Sequence, residues 1–438
     1  MNYIQKDRDL IWHPFTQMKD YAQRDHLLIV RGDGLFLEDV DGNKYYDTVS
    51  SWWTCTHGHN HPRLVKALRD QSEKLDHVIF SGMTHPSAIE LADELVKIAP
   101  EGLAKVFFSD NGSTAVEVAL KMSFQYWHHI GQKQKNTFMY LSGSYHGDTL
   151  GAVSIGGIEL FHAIFKPLLF DAIQVPAPTG NSLDAARSAL RELEIFLTAE
   201  SNRICGLIIE PIVQAAGGMN MYHPAYLRGA RALCDQFGIH LIADEVAVGF
   251  GRTGRMFGCD HAGIAPDLVC FSKALTGGMM PLSVTMATQV IYDAFYDDHT
   301  TMKTFFHGHS YTGHPLATAV AAENLRLFRE DNVLARIEHL SEYLGHAVRT
   351  RWTSSNHVSN IRHIGMIAAF DLRKDAASDI PYTSDDRIGF EVYLRGLEEG
   401  LILRPLGDTI YYWLPYCVTT ADIDEIITRT LRILDSLH

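Results

Sequence analysis

The chain has 438 residues, of which 46% are hydrophobic and 21% charged, a composition typical of globular proteins with room for more than one domain. Its formal charge of −14 argues against nucleic acid or an anionic membrane surface as a partner. No apolar stretch is long enough to span a bilayer or resembles a signal peptide, so we expect a cytoplasmic protein. The six cysteines have no CxxC spacing and are expected to be reduced and mostly buried.

The first 60 residues predict a small antiparallel meander followed by an aromatic loop. Turn residues at Gly32–Gly34 separate alternating, strand-like runs. The loop Ser51–Pro62 carries three alternating histidines, His57, His59 and His61. We expect these histidines to form hydrogen bonds rather than a metal site, because no carboxylate or thiol stands at a metal-ligand spacing.

Beyond Pro62 the pattern turns helical, and apolar strand candidates then alternate with helical stretches. The strand candidates are Thr137–Leu141, Ala172–Val175, Cys205–Pro211, Ile239–Asp244 and Leu268–Ser272. This alternation is typical of parallel βαβ units. The predicted fold class is therefore α/β, with a parallel sheet flanked by helices.

After about residue 355 the pattern shifts to short strands, and a closing helix is predicted at Thr420–Leu437. This indicates a second, smaller α+β domain. We expect residues 1–60 to form an N-terminal segment that contributes to the small domain. Residues 61–315 are expected to form the large, cofactor-binding domain, and residues 316–438 the C-terminal small domain.

Two neighbouring strand candidates each end in a charged residue. The run that ends at Ala243 is followed by Asp244, and the run that ends at Phe271 is followed by Ser272 and Lys273. Open α/β sheets place their ligands at the carboxyl ends of strands. A lysine that binds an aldehyde and an acid that keeps a pyridine nitrogen protonated suit pyridoxal phosphate. A buried ion pair between neighbouring strand ends fits the same residues equally well.

A third strand candidate runs into the loop Asp110–Thr114, which precedes a predicted helix. Free N–H groups at a helix amino end, a glycine at Gly112 and the hydroxyl of Ser113 suit a phosphate. The same residue types also cap helices that bind no ligand. Glu117 and Lys121, four residues apart, are predicted to support this helix as a pair.

Three further segments carry candidate residues. Tyr145 follows a strand candidate, where its ring can cover one face of a flat cofactor or simply pack in the core. The polar segment Lys303–Pro315 looks like a second phosphate-contacting loop, with Ser310 as a candidate hydroxyl. Arg404 interrupts an apolar run and therefore needs a carboxylate partner. That partner is either an acidic side chain or a substrate.

Together these motifs resemble the subgroup III aminotransferases of the fold-type I pyridoxal-phosphate enzymes. The motifs are WHPFTQM, SSWW, HGHNHP, SDNGSTAVEVALKM, YHGDT, IIEPIVQAAGGM, ADEVAVGFGRTG, SKALTGG, GHSYTGHP and ILRPLGD. They span residues 11–416 in unbroken order. The resemblance implies a mostly parallel seven-stranded sheet and a homodimer with active sites at the subunit interface. Within the family, the motifs resemble the biotin-pathway branch, which converts 8-amino-7-oxononanoate to 7,8-diaminononanoate.

Carried over residue by residue, the resemblance implies pyridoxal 5'-phosphate as cofactor and no metal ion. The implied catalytic residues are Lys273, Asp244 and Tyr145. The implied cofactor-binding residues are Gly112, Ser113, Tyr145, Asp244, Lys273 and, from the neighbouring subunit, His309 and Ser310. The implied substrate-binding residues are Phe15, Trp52, Trp53, Tyr145, Arg252, Lys273, Gly308 and Arg404. Of these, Arg404 is implied to bind the carboxylate of the keto-acid substrate.

The amino donor is open between S-adenosylmethionine and lysine. Phe15 stands where close relatives often carry tyrosine, and His309–Ser310 replaces a Pro–Thr pair found in many adenosylmethionine users. Flat aromatic walls suit an adenine ring and a sulfonium cation, whereas the distal ammonium of lysine would want a carboxylate such as Asp148. We predict S-adenosylmethionine, with lysine as the alternative. An enzyme acting on ω-amino acids or diamines is the other interpretation.

Overall fold

Strands and helices alternate through most of the computed structural model, which describes residues 2–437. The strands are β1 (Ile29–Asp33), β2 (Phe36–Asp39), β3 (Lys44–Asp47), β4 (Leu103–Ser109), β5 (Thr137–Leu141), β6 (Ile173–Val175), β7 (Ile204–Ile209), β8 (Val213–Gln214), β9 (Asn220–Met221), β10 (His240–Asp244), β11 (Leu268–Phe271), β12 (Ser283–Thr288), β13 (Val358–Ile364), β14 (Ile367–Asp375), β15 (Ile380–Pro381), β16 (Leu401–Ile402) and β17 (Thr409–Trp413). The α-helices are α1 (Tyr3–Leu10), α2 (Met18–Ala22), α3 (Ser50–Trp53), α4 (Pro62–Ser72), α5 (Pro86–Ile98), α6 (Gly112–His129), α7 (Leu150–Ser154), α8 (Glu159–His162), α9 (Leu183–Glu200), α10 (Pro224–Phe237), α11 (Gln289–Asp293), α12 (Pro315–Glu330), α13 (Val333–Arg351), α14 (Ile388–Glu398) and α15 (Thr420–Asp435).

A seven-stranded sheet with the order β4-β12-β11-β10-β7-β5-β6 forms the centre of the fold. β12 runs antiparallel to both of its neighbours, and the other pairs in the sheet are parallel. Every residue of β7, β10 and β11 is buried, as expected for strands covered by helices on both faces. The predicted α/β fold with a mostly parallel seven-stranded sheet is therefore confirmed.

Alternate residues of the central strands face two separate layers of helices. Ile242 and Leu268 pack in a cluster with the buried face of α6. Leu241 and Val269 pack in the main core, together with Leu227 of α10. This arrangement holds the carboxyl ends of β7, β10 and β11 side by side at one edge of the sheet, where the predicted acid and lysine emerge.

The beginning and the end of the chain share a second sheet. The meander β1–β2–β3 is antiparallel, and β16 pairs in parallel with β3. β17 instead pairs with β14, so β16 and β17 belong to different sheets. The domain boundaries remain a prediction.

The predicted pairing of Glu117 with Lys121 on α6 is wrong. Glu117 Oε1 accepts the N–H of Gly151 at 2.7 Å, and Lys121 Nζ lies 2.9 Å from His307 Nδ1. Gly151 lies in the first turn of α7, where backbone N–H groups have no partner within the helix. A carboxylate that satisfies such a group and its helix dipole gains more than a solvated pair on a helix surface.

The loop that carries His57, His59 and His61 packs against α12. His57 Nε2 is 2.7 Å from Asn324 Oδ1, and the amide of Asn324 donates to the carbonyls of Ala274 and Leu275 at 2.9 and 3.0 Å. This chain of bonds fixes the turn that follows Lys273. Among residues 2–437, no three His, Cys, Asp or Glu side chains are arranged to hold a metal ion. No helix in this range is both long and apolar enough to cross a membrane.

Gly278 closes the turn after Lys273 in a conformation that requires glycine. Its φ is +89°, and a Cβ added there would lie 2.7 Å from the carbonyl carbon and oxygen of Thr54. Both contacts are with backbone atoms, so neither can be relieved by a side-chain rotation. Gly278 therefore allows the backbone that follows Trp52 and Trp53 to pack directly on the turn after Lys273.

We predict that Gly278→Ala lowers the free energy of unfolding by about 3 kcal/mol or more, from left-handed strain and overpacking together. Gly263→Ala is the matched control, because Gly263 has φ +61° and open space around its Cβ position. The control should lose only about 1 kcal/mol from strain. Urea unfolding followed by circular dichroism measures both changes. Equal losses in the two variants would contradict the packing argument.

Candidate active site

A cavity of about 630 Å³ opens at the carboxyl ends of β7, β10 and β11. Its lining includes Trp53, Thr54, Asp110, Gly112, Ser113, Tyr145, His146, Asp148, Glu210, Asp244 and Lys273. Six of the residues predicted for the site therefore come together: Trp53, Gly112, Ser113, Tyr145, Asp244 and Lys273. The other predicted residues lie outside this lining.

The carboxylate of Asp244 is held in a fixed orientation. Its Oδ2 lies 2.7 Å from His146 Nδ1, and its Oδ1 accepts the N–H of Val246 at 3.0 Å. The side chain of His146 is fully buried, and its Nε2 has no hydrogen-bond partner among the described residues. Asp244 is thus oriented from behind by a histidine and faces the cavity as an acceptor.

Lys273 is half-buried and does not pair with a carboxylate within residues 2–437. Its Nζ lies 4.7 Å from the ring centroid of Trp53, and the carboxylate of Asp244 bonds to His146 instead. The buried ion pair that the sequence left open does not form. Burial lowers the pKa of the Lys273 amine, although the charge of Asp244 opposes the shift. A lysine amine of lowered pKa is a better nucleophile and proton acceptor at neutral pH.

The amino end of α6 presents an anion site to the cavity. Asn111 caps the helix by accepting the N–H of Thr114, while the N–H groups of Gly112 and Ser113 have no acceptor in the described chain. A Cβ at Gly112 would lie 2.6 Å from Val246 Cγ1, so only glycine fits this close approach. Free N–H groups at the start of an 18-residue helix suit a phosphate.

Tyr145 and Glu210 also line the cavity. Tyr145 donates its hydroxyl to Asp148 Oδ2 at 2.8 Å and its N–H to Glu210 Oε2 at 3.1 Å. Burial raises the pKa of the Glu210 carboxyl to about 7. The sequence reasoning missed Glu210 as a site residue. It directly follows β7, just as Asp244 ends β10, so the same strand-end rule could have found it.

An aromatic wall leads away from the cavity along Tyr145, Phe161, Phe15 and Trp52. Neighbouring ring centroids in this series lie 6.3, 5.4 and 5.7 Å apart, each pair edge to face. At the far end the guanidinium of Arg404 lies 3.9 Å from the Trp52 ring centroid. Arg404 forms no ion pair with a carboxylate of the described residues, although it is half-buried.

Arg252 lies behind the site rather than in it. Its guanidinium is buried, donates to the carbonyl of Leu414 at 2.6 Å, and stacks 5.1 Å from the ring centroid of Trp413. Trp413 in turn stacks on Trp53 at 5.0 Å. The structure therefore places Arg252 one layer away from the cavity that Trp53 lines.

The predicted second phosphate loop lies near the anion site of its own chain but does not line the cavity. His309 Nδ1 is 2.8 Å from Asp110 Oδ2, and Asp110 lines the cavity. Gly308 and Ser310 are exposed. The loop thus presents its glycine and its hydroxyl outward.

The residues of the cavity fit pyridoxal phosphate. The N–H groups of Gly112 and Ser113 suit its phosphate, the oriented carboxylate of Asp244 suits its pyridine nitrogen, and the unpaired amine of Lys273 suits its aldehyde. Within residues 2–437, no acceptor competes for the two N–H groups and no carboxylate pairs with Lys273, while His146 orients Asp244. The fit therefore rests on the geometry of the protein itself.

Comparison with known proteins gives matches over nearly the whole chain. The family described as aminotransferase class-III matches residues 18–434. The chain is 46% identical over 429 residues to the adenosylmethionine-8-amino-7-oxononanoate aminotransferase of Geobacter sulfurreducens, across 96% of this chain and 94% of that protein. It is 39% identical over 431 residues to the protein of the same name from Anoxybacillus flavithermus, across 97% and 94% of the two chains.

Solved structures agree with these matches. The adenosylmethionine-8-amino-7-oxononanoate aminotransferase of Methanocaldococcus jannaschii has a TM-score of 0.95 and 35% identity, and covers 99% of this chain and 98% of its own. The omega transaminase of Pseudomonas jessenii in complex with PMP has a TM-score of 0.94 and 30% identity, with coverage of 99% and 98%. The chain therefore belongs to the class-III aminotransferases, a family of pyridoxal-phosphate-dependent enzymes.

Proposed function

We propose that this aminotransferase moves an amino group from S-adenosylmethionine to 8-amino-7-oxononanoate and produces 7,8-diaminononanoate for biotin synthesis. The observation that carries the proposal is the unpaired guanidinium of Arg404 at the end of the aromatic wall. A half-buried arginine without an acid suits a substrate carboxylate. The names of the relatives from three organisms support the same pair of substrates.

When bound, pyridoxal phosphate supplies an aldehyde that takes up amino groups and a ring that withdraws electrons from the carbon losing its proton. Gly112 and Ser113 would hold the phosphate through their N–H groups. Asp244, oriented by His146, would keep a proton on the pyridine nitrogen. Lys273, whose pKa is lowered by burial, would bind the aldehyde carbon and move the proton of the carbon that bears the amino group. Tyr145 would cover one face of the ring.

The aromatic wall suits the aliphatic chain of the amino acceptor. Burying each CH₂ group contributes about 0.8 kcal/mol, so rings along the path from Tyr145 to Trp52 favour a long apolar chain. Arg404 at the far end would bind the carboxylate in a fork geometry that lysine cannot reproduce. Arg252 would shape the cavity indirectly, because it supports Trp413 behind Trp53.

The contacts of Asp148 favour S-adenosylmethionine as the amino donor. Lysine would need a free carboxylate for its distal ammonium, but Asp148 already accepts the Tyr145 hydroxyl at 2.8 Å. Phe15 and Trp52 offer exposed ring surface, which suits an adenine ring and a sulfonium cation. Lysine as donor to the same acceptor is the alternative.

We also propose a homodimer in which Gly308, His309 and Ser310 complete the phosphate site of the neighbouring subunit. Phe306 and Tyr311, on the same loop, have 70% and 61% of their surface exposed. Large apolar side chains exposed together are typical of an interface. The cytoplasm is the proposed location, because all six cysteines are free and a reducing compartment keeps them so.

A transaminase of ω-amino acids or diamines is the second candidate. The omega transaminase of Pseudomonas jessenii supports it through a TM-score of 0.94. The two candidates differ in the need for a substrate carboxylate far from the reacting carbon. The Arg404 variants described next therefore separate them.

We predict that Arg404→Ala lowers kcat/KM for 8-amino-7-oxononanoate about 100-fold, because a charge-assisted contact is lost. The half-reaction with the amino donor should stay closer to normal. Arg404→Lys should recover only part of the loss, since its ammonium cannot form a bidentate contact. Stopped-flow absorbance of the two half-reactions measures each effect separately.

Arg432→Ala is the control for this prediction. Arg432 is an exposed arginine whose Nη1 lies 3.0 Å from Glu399 Oε2. It is not part of the aromatic wall. Its replacement should leave both half-reactions unchanged. If Arg404→Ala damaged both half-reactions equally, Arg404 would have a structural role instead.

We predict that S-adenosylmethionine bleaches the yellow absorbance of the cofactor-loaded enzyme in a single turnover, and that lysine does not at similar concentration. Addition of 8-amino-7-oxononanoate should then restore the absorbance and yield 7,8-diaminononanoate, identified by mass. Bleaching by lysine alone would reverse the donor assignment. Failure of the keto acid to accept the amino group from either donor would contradict the proposed function.

A further inference from the structure

The tryptophan turn, which is the short element α3 (Ser50–Trp53), is left-handed rather than a regular α-helix. The four residues have φ of +49°, +44°, +68° and +74°, and each non-glycine residue in this region costs about 1–2 kcal/mol. Asp47 holds the turn in place. Its Oδ1 accepts the N–H of Ser51 at 2.9 Å, and its Oδ2 accepts the Ser51 hydroxyl at 2.7 Å. A buried carboxylate therefore stabilises the strained segment that positions Trp52 and Trp53.

The same carboxylate forms the first part of an Asp47–His59–Cys55 cluster. Asp47 Oδ2 lies 2.9 Å from His59 Nε2, and His59 Nδ1 lies 3.7 Å from Cys55 Sγ. Only 1% of the Asp47 side chain and 13% of the His59 side chain are exposed. An acid, an imidazole and a thiol in this order form the arrangement that activates cysteine nucleophiles.

The electrostatics of the cluster favour a charged imidazole. Burial alone would lower the pKa of His59, but its hydrogen bonds to Asp47 and Cys55 outweigh that effect and raise the pKa to about 10. An imidazolium beside a thiol stabilises the thiolate, which is the reactive form. His59 can donate from Nε2 to Asp47 and from Nδ1 to the sulfur at the same time.

No other cysteine of the described chain has such a neighbour. Cys205, Cys234, Cys259 and Cys270 are buried, and burial raises the pKa of a thiol. Cys417 is half-buried like Cys55, but burial raises the pKa of its thiol to about 11. Cys417 is therefore a reference thiol of similar exposure that has no imidazole beside it among the described residues.

We propose that Cys55 is a nucleophilic thiol that undergoes exchange with small disulfides, and that its modification closes the substrate path. The Cys55 thiolate attacks one sulfur of the disulfide and forms a new S–S bond. The original S–S bond breaks, and the other sulfur leaves as a thiolate that takes its proton from solvent. A reducing thiol reverses the step by the same exchange.

The effect on the substrate path follows from the packing of the loop. Thr54, which precedes Cys55, lines the cavity, and the Thr54–Cys55 backbone packs on Gly278 with no room for a Cβ. A group attached to Sγ would also displace His59 and remove one bond from Asp47, which holds the tryptophan turn. This inhibition rests on the proposed function, whereas the reactivity of the thiol does not.

The test is the reaction of the cofactor-loaded enzyme with dithiobis(nitrobenzoate), an aromatic disulfide that releases a coloured thiolate. Peptide mapping by mass after short exposure should find Cys55 modified at least about tenfold faster than Cys417. Cys55→Ser should abolish the fast phase and keep transaminase activity. His59→Asn should slow the fast phase about tenfold or more, because the imidazolium is lost.

Each outcome decides a separate part of the proposal. Peptide mapping of the wild-type enzyme needs no variant, so its result holds even if His59→Asn fails to fold. Equal rates at Cys55 and Cys417 would overturn the assigned nucleophile. If His59→Asn folds and its fast phase is unchanged, the role of the cluster would be overturned. Full activity after complete modification of Cys55 would overturn the coupling to the substrate path and leave the proposed function intact.

Discussion

The rest of the site depends on one constraint: among the described residues, the amine of Lys273 has no carboxylate partner. A half-buried lysine beside a strand-end acid would normally pair with it, since removing an isolated charge from water is costly. Here His146 bonds to Asp244 at 2.7 Å, and burial lowers the pKa of Lys273. The lysine is thereby left as a nucleophile, and the acid is left as a fixed acceptor. The parallel order of β10 and β11 brings the two residues to the same edge.

The chain stabilises this arrangement from outside the cavity. Asn324 holds the turn after Lys273 through the carbonyls of Ala274 and Leu275. Arg252 supports Trp413, which in turn stacks on Trp53 at 5.0 Å. Residues that touch no cofactor thus set the positions of those that would, and rigid support of this kind is what catalytic geometry requires.

Much of this could be predicted from the sequence, because strand ends carry a simple signal. The apolar runs before Asp244 and Lys273 predict buried parallel strands, and such strands place their last residues at a ligand site. The glycine and hydroxyl residues from Gly112 predict an anion site for a similar local reason. Local patterns of this kind do not depend on the tertiary fold.

Other features depend on contacts between distant parts of the chain. Arg252 follows the strand-end loop closely in sequence, yet its guanidinium packs on Trp413 and bonds to Leu414. Lys121 meets His307 rather than Glu117. The left-handed turn at Ser50–Trp53 contains no glycine from which it could be predicted. In each case a tertiary contact overrides the local preference, so the sequence pattern alone could not reveal it.

The central claim, that Lys273 carries the cofactor, has a direct measurement. Borohydride reduction of the pyridoxal-phosphate-loaded enzyme fixes the cofactor to the lysine that binds it, and peptide mapping by mass then identifies that lysine. The account predicts a single labelled peptide that contains Lys273. It also predicts no label at Lys121, which lies on the same helix as the anion site but is exposed and bonds to His307. A label on any lysine other than Lys273 would contradict the account.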